Sequence, residues 1–289
     1  IRHETVYRYE EEAGGVVMRL RLLPATSNAQ TVEQWTVTAN GQPIERWIIN
    51  GYGDAEAVWR APGRVDSVTI LSEGTVRTVD RAGVLKPADG AVRPQLFLRA
   101  TPLTEIDPAI ADLAQRARRE EGVLASLHAL SDLVHDEIEY RSGSTSMETT
   151  AAQAFAQKSG VCQDQAHVFI AAARSLLIPA RYVVGYLRDD ERPDSDHEPH
   201  AWAEAWVEGL GWIGFDITLG LCPVEGHVRL CCGLDAADAA PIRGVMIAGG
   251  ETALSHDVQI ASLPSEDTAQ SQTQQGVGRA ARCGHEKGA

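Results

Sequence analysis

The residues most able to do chemistry cluster in Ser159-Gly160-Val161-Cys162-Gln163-Asp164-Gln165-Ala166-His167. A cysteine in the first turn of a helix, entered through a glycine, sits where unpaired backbone N–H groups favour negative charge. The thiolate is the competent nucleophile, so that position suits it. Thiolate chemistry needs a base. The candidate is His200, in Pro199-His200-Ala201-Trp202-Ala203-Glu204-Ala205-Trp206, opening a strand after a loop rich in Asp and Pro. An acceptor must then fix the imidazole tautomer and stabilise its charged form, and Asp216 in Trp212-Ile213-Gly214-Phe215-Asp216 fits. If the two strands pair antiparallel through Glu208-Gly209-Leu210-Gly211, His200 falls opposite a position between roughly 216 and 219. Each residue alone has a commoner use: a small core cysteine, a satisfied histidine, a turn aspartate. Their order, helix-start Cys, strand His, next-strand Asp, sets the nucleophilic reading beside those structural ones.

The elements that must position these residues can be read from periodicity. Cys162 to Leu177 reads as a helix ended by Pro179, followed by strands over Ala180–Leu187, His200–Glu208 and Trp212–Ile217. Upstream, Ile110, Leu113, Ala114 and Ala117 share one helical face. Leu124, Leu127, Leu130, Leu133, Val134 and Ile138 form a second amphipathic stripe. Arg141 to Thr150 is polar and reads as a loop. Residues 1–100 read as short antiparallel strands: Thr5–Tyr9, Val16–Leu22, Val32–Thr38, Ile44–Ile49, Ala57–Trp59, Val65–Leu71 and Val76–Val79. Gly14-Gly15, Asn40-Gly41, Asn50-Gly51, Pro62-Gly63 and Glu73-Gly74 supply turn signals between them, and Asn40-Gly41 is the best hairpin signal. Pro87, Pro94, Pro102 and Pro108 punctuate an irregular connector. The expected fold class is therefore α+β: an N-terminal antiparallel β-sandwich-like region (1–100), a core with C-terminal strands (101–264), and a Gln/Ser/Thr/Gly-rich disordered tail (265–289).

Composition narrows the function. Lys and Arg total 26 against 40 Asp and Glu, a net charge of −14. That balance argues against nucleic acid or an anionic membrane as partner, since both attract clustered basic residues. The densest basic run, Arg116-Ala117-Arg118-Arg119, is followed at once by Glu120-Glu121 and reads as a solvated helix face. No stretch reaches the ~18 apolar residues of a membrane span. The first residues lack a signal peptide's apolar run and alternate like a strand, so a cytoplasmic location is expected. Five cysteines, Cys162, Cys222, Cys231, Cys232 and Cys283, make a poor disulfide framework, and no C-x-x-C pair suggests a structural zinc. His197 and His200, three apart, lack a third nearby ligand, and no D-x-D-x-D-G calcium loop occurs. Neither metal nor cofactor is expected. Asp164 and His167 read as structural, Trp202, Trp206 and Trp212 as core and pocket wall, and Cys222, Cys231 and Cys232 as small hydrophobes.

The string Gly160-Val161-Cys162-Gln163-Asp164, then His200-Ala201-Trp202-Ala203-Glu204 and Phe215-Asp216, resembles the transglutaminase-like superfamily. More narrowly it is similar to the bacterial branch with an N-terminal β region. Arg2-His3-Glu4-Thr5-Val6-Tyr7-Arg8-Tyr9 resembles the start of that region, and His227–Leu230 through Ala240–Val245 its C-terminal portion. The likeness covers about residues 1–264. It implies a papain-like core in which Cys162 attacks an amide carbonyl, His200 is general base and acid, and Asp216 orients it. The Cys162 backbone N–H would supply part of the oxyanion hole, with Tyr140 or Gln157 as candidate second donors. A protein or peptide is then the expected substrate. An amine or water as acceptor would separate acyl transfer from peptidase or amidase action. The N-terminal region would pack near the core and restrict substrates. Where the family often continues as x-Thr-Asn-Gly after its Asp, this chain has Ile217-Thr218-Leu219-Gly220. That departure leaves open a third reading, a non-catalytic binding module keeping the fold.

Overall fold

The computed structural model describes residues 1–86, 92–188, 199–247 and 250–262. The expected tail, Pro87, His197 and Cys283 lie outside the described residues.

The chain opens with seven strands: β1 Arg2–Leu20, β2 Gln30–Ala39, β3 Gln42–Pro43, β4 Ile48–Ile49, β5 Ala55–Arg60, β6 Val65–Thr78 and β7 Val84–Leu85. β1 is a single strand through Gly14-Gly15, not two strands about a turn. Its first half pairs with β6 and its second half with β5, and the register shifts between Arg8 and Ala13. One bent strand thus serves both arms of a curled antiparallel sheet, which accounts for the sandwich-like pattern. Glu73-Gly74 likewise lies inside β6. A Cβ on Gly74 would run into the Gln34 carbonyl, so this glycine permits close strand approach rather than a turn. Asn40-Gly41 does form the tight hairpin turn, with φ of 48° and 74°. Of the strand expected over Ile44–Ile49, only Ile48–Ile49 pairs.

The core follows with α1 Pro108–Ala117, α2 Val123–Glu137, β8 Glu139–Tyr140, α3 Ala151–Gln157, β9 Ser159–Gly160 and α4 Cys162–Ser175. It continues with β10 Ala180–Leu187, β11 His200–Val207, β12 Gly211–Phe215, β13 His227–Gly233 and α5 Ala236–Ala239. Strand order in the core sheet is β13-β10-β11-β12-β7. Every residue of α4 from Gln163 to Arg174 is buried. That is why the helix is alanine-rich rather than amphipathic: it is enclosed by α1, α2 and α3 on one side and the sheet on the other. Ala201, Ala203 and Ala205 of β11 join the same core, and their small side chains let helix and strand approach closely. Buried Arg174 closes the helix by donating to the carbonyls of Phe97, Ala180 and Leu234 and to Thr104 Oγ1, which seats the connector on the core.

The last strands, β14 Ile242–Ile247 and β15 Thr252–Gln259, return to β1: Leu20 pairs with Ile242 and Arg2 with Gln259. β14 and β15 therefore complete the N-terminal sheet, not the core sheet. Among the described residues no helix is long and apolar enough to cross a membrane.

Candidate active site

Cys162 occupies the first position of α4. The N–H groups of Asp164 and Gln165 bond to Val161 O at 3.0 and 3.1 Å, whereas the Cys162 N–H, at the helix start, has no acceptor within the helix. The turn is held from the side by Asp164. Its Oδ2 accepts from Val161 N at 2.8 Å and from the Thr145 hydroxyl at 2.6 Å, docking the 141–150 loop beside Cys162. Burial pushes the Asp164 carboxyl up, against those two bonds. Gly160 is required here, because a Cβ would lie 2.7 Å from Asp164 Cβ.

His200 is the first residue of β11. The register Ala203↔Phe215 continues to place His200 across from residue 218, and the carboxylate reaches back from two positions earlier. His200 Nε2 lies 2.6 Å from Asp216 Oδ2. An ionised carboxylate only accepts, so Nε2 carries the hydrogen and Nδ1 is left for the thiol. Burial opposes a charged His200 ring, but hydrogen bonds to Asp216 and Cys162 outweigh it and take its pKa up to about 10. Asp216 is fully buried. Burial alone would raise its pKa, yet donors from His200 and His227 pull it down to about 2.

His227 is the participant that reading the sequence missed as a site residue. Its Nε2 lies 2.9 Å from the same Asp216 Oδ2, and its Nδ1 accepts the Val224 N–H at 3.2 Å. It lies on β13, which reaches the site only through pairing with β10, Leu187 opposite His227. No local motif marks it. The Trp202 ring stands edge-on to His227 at 5.5 Å and tilted beside His200 at 6.3 Å, walling the pair. Trp206 and Trp212 instead pack together in a separate cluster with Phe97.

Leu219, at the position of the family's Asn, turns its side chain outward, 45% exposed, and its backbone N–H donates to Asp216 Oδ1 at 3.1 Å. The carboxylate is therefore served by main chain there. Gln165 joins α4 to this turn, accepting from the Thr218 hydroxyl at 2.7 Å and donating to Ile138 O at 2.9 Å. Of the two candidate oxyanion donors, Gln157 spends its amide on Ser159 O at 2.7 Å. Tyr140 is half exposed on β8, paired with Gly160 two residues before Cys162. His167 is buried and accepts the Ala236 N–H at 3.0 Å, with burial holding its pKa near 4. It is a neutral structural ring. Cys231 and Cys232 are buried and Cys222 half-buried.

His200, Asp216 and His227 also bring three potential metal donors within 4.8 Å of one another. The donor set fits a hydrogen-bond network better than a cation. Because His227 Nδ1 is an acceptor, its Nε2 bears a hydrogen aimed at Asp216, and a metal would need that position deprotonated.

Residues 111–217 match the transglutaminase-like superfamily, and residues 1–77 match the bacterial transglutaminase-like N-terminal region. The structure is similar to that of a candidate cysteine protease from Cytophaga hutchinsonii, with TM-score 0.64 and 25% identity over 91% of each chain. An uncharacterized Mycobacterium leprae protein is 27% identical over 90% of this chain and 97% of its own. An uncharacterized Mycobacterium tuberculosis protein is 32% identical over 50% of this chain, the match spanning about half of that relative at 48%. With residues 111–217 matched as a core and residues 1–77 matched as an N-terminal region in its own right, this chain belongs to the transglutaminase-like superfamily.

Proposed function

We propose that the protein is a cysteine enzyme that attacks an amide, peptide-bound Gln or a peptide bond, through a thioester on Cys162. The observation that carries this reading is the 2.6 Å contact of His200 Nε2 with the buried Asp216 carboxylate, with Cys162 near enough to the same imidazole to help raise its pKa. In this reading Asp216 holds the ring so that Nδ1 meets the thiol, and the thiolate and imidazolium form an ion pair. The thiolate adds to the amide carbonyl, and the Cys162 N–H at the free end of α4 faces the developing oxyanion. His200 then gives its proton to the leaving amine, the C–N bond breaks, and the thioester remains. An amine acceptor completes transfer; water completes hydrolysis. The likeness to a candidate cysteine protease over nearly the whole chain favours including hydrolysis as the second reading.

The first test is the alkylation rate of each cysteine by iodoacetamide from acidic to mildly basic pH, on wild type and His200→Ala. Cys162 should react far faster than Cys222 below neutral pH and lose that advantage in the variant. A Cys162 that reacts no faster than Cys222 overturns the enzyme reading in favour of a binding module. With a Gln-containing protein and a labelled amine, incorporated label identifies transfer and new termini identify proteolysis.

A further inference from the structure

We infer that His227 is a positioning residue, fixing the Asp216 carboxylate and, through it, the His200 ring. The inference rests on the triad reading of Cys162, His200 and Asp216. A carboxylate turns easily about its last torsion, so a single bond at each oxygen leaves its plane loosely defined. Here Oδ1 is met by the Leu219 N–H at 3.1 Å, while Oδ2 is met by two imidazoles, His200 at 2.6 Å and His227 at 2.9 Å. The third donor sets the direction of the oxygen that His200 depends on.

His227 is itself held rigidly. The Val224 N–H at its Nδ1 leaves only the tautomer with hydrogen on Nε2, the one that donates to Asp216. The Trp202 ring packs edge-on against it at 88°, and its side chain is 2% exposed. Backbone pairing with Leu187 anchors it to β10, next to the strand carrying His200. Groups behind the residues that touch a reacting centre typically change activity ten- to hundredfold when removed, because they set orientation rather than supply atoms.

The test uses His227→Phe, which keeps a ring against Trp202 but has no N–H, and His227→Gln, whose amide N–H can reach the place of Nε2. Cys162 alkylation is read at pH 6, where an ordinary thiol, with a pKa near 8.5, is under about one per cent thiolate. The Phe variant should lose roughly ten- to hundredfold in rate. The Gln variant should recover to within a few-fold of wild type, with the two variants showing similar Tm. A folded Phe variant that alkylates at the wild-type rate overturns the inference while leaving the triad reading in place. Should wild-type Cys162 react no faster than Cys222, the triad reading itself fails. Ring nitrogen NMR of the wild type gives a measurement that needs no variant. It should show His227 protonated on Nε2 and bare on Nδ1; the opposite tautomer refutes the proposal.

Discussion

Asp54, from the N-terminal sheet, lies 3.0 Å from Arg229 on the core strand that also carries His227. The pair is part of a buried chain of alternating charge. Arg21 also meets Asp54, and Arg229 continues to Glu204 at 3.1 Å, which meets Arg181 at 2.6 Å. Arg181 in turn lies over the Trp212 ring at 3.9 Å. Gln30 adds a second bridge, its Oε1 accepting from Arg229 N at 2.8 Å and its Nε2 donating to Arg229 O at 2.9 Å. The two sheets are thus joined by charge and hydrogen bonds as well as apolar contact.

Breaking that chain at one member should be expensive. Asp54 is 1% exposed and held as a carboxylate against burial by Arg229 and Arg21. Asp54→Asn would leave two buried guanidinium groups short of a counter-charge, a loss of about 3–5 kcal/mol. Thermal unfolding should show a Tm drop on the order of 10 °C. A truncation that begins near Thr104 removes Asp54, Arg21 and Gln30 together and strands β14 and β15 without β1. It should not yield a cooperatively folding core.

The site's pH dependence follows from opposite shifts on two partners. His200 is raised to about 10, so its ion-pair stabilisation is complete below the ordinary value near 6.5 and is lost as pH rises through about 10. Asp216 is depressed to about 2, so its contribution is complete above the ordinary carboxylate range and is lost only as pH falls through about 2. Under the proposed mechanism, amide turnover should therefore fall on an alkaline limb near pH 10, where His200 no longer has a proton for the leaving amine. Asp216→Asn should bring the His200 titration, followed by histidine ring NMR, back toward 6.5. A His200 that titrates unchanged in that variant would assign its shift to something other than the carboxylate.

The parts of this site that the sequence discloses are those carried by local elements. Cys162 opens a helix whose apolar content and glycine entry are visible in nine residues, and β10 begins and ends at Ala180 and Leu187 as its β-branched pattern predicts. His200 and Asp216 are linked by one hairpin, so their spacing alone places them on neighbouring strands. His227 is different. It comes to Asp216 because β13 crosses to the far side of β10, a non-local pairing that no short-range periodicity encodes. The same reason hides the return of β14 and β15 to β1. Glycines mislead for another reason: at Gly74 and within Gly14-Gly15 the missing side chain serves close packing or a strand bend, and sequence alone reads both as turns. Asp54 and Arg229 look like surface charges until the fold pairs them.

Leu219 offers a direct check on how much the family's asparagine matters. Because the main-chain N–H of residue 219 is what meets Asp216 Oδ1, and the side chain is exposed, Leu219→Asn alters neither the carboxylate nor the core. Surface changes of this kind fall within about 0.5 kcal/mol. The alkylation rate of Cys162 should stay within about two-fold of wild type, and Tm should move little. A large gain in rate would mean that the asparagine side chain does work the backbone bond does not.

Gly160→Ala probes the turn that aims Cys162. The new methyl would sit 2.7 Å from Asp164 Cβ and 2.8 Å from Asp164 Oδ2, too close for either to stay in place. The neighbour is a short side chain already committed to Val161 N and Thr145, so relief comes only by giving up those bonds. Overpacking of this sort costs about 1–3 kcal/mol, and here it also frees the 141–150 loop and the first turn of α4. Cys162 alkylation at pH 6 should slow along with the fall in Tm. The decisive comparison is with Asp164→Gly, which removes the clashing Cβ along with the carboxylate. If the clash is the cause, Gly160→Ala should cost clearly less in the Asp164→Gly background than in wild type, a coupling readable from a four-protein cycle of Tm and alkylation rate. Equal costs in both backgrounds would place the glycine's role elsewhere, in the backbone of β9 where it pairs with Tyr140.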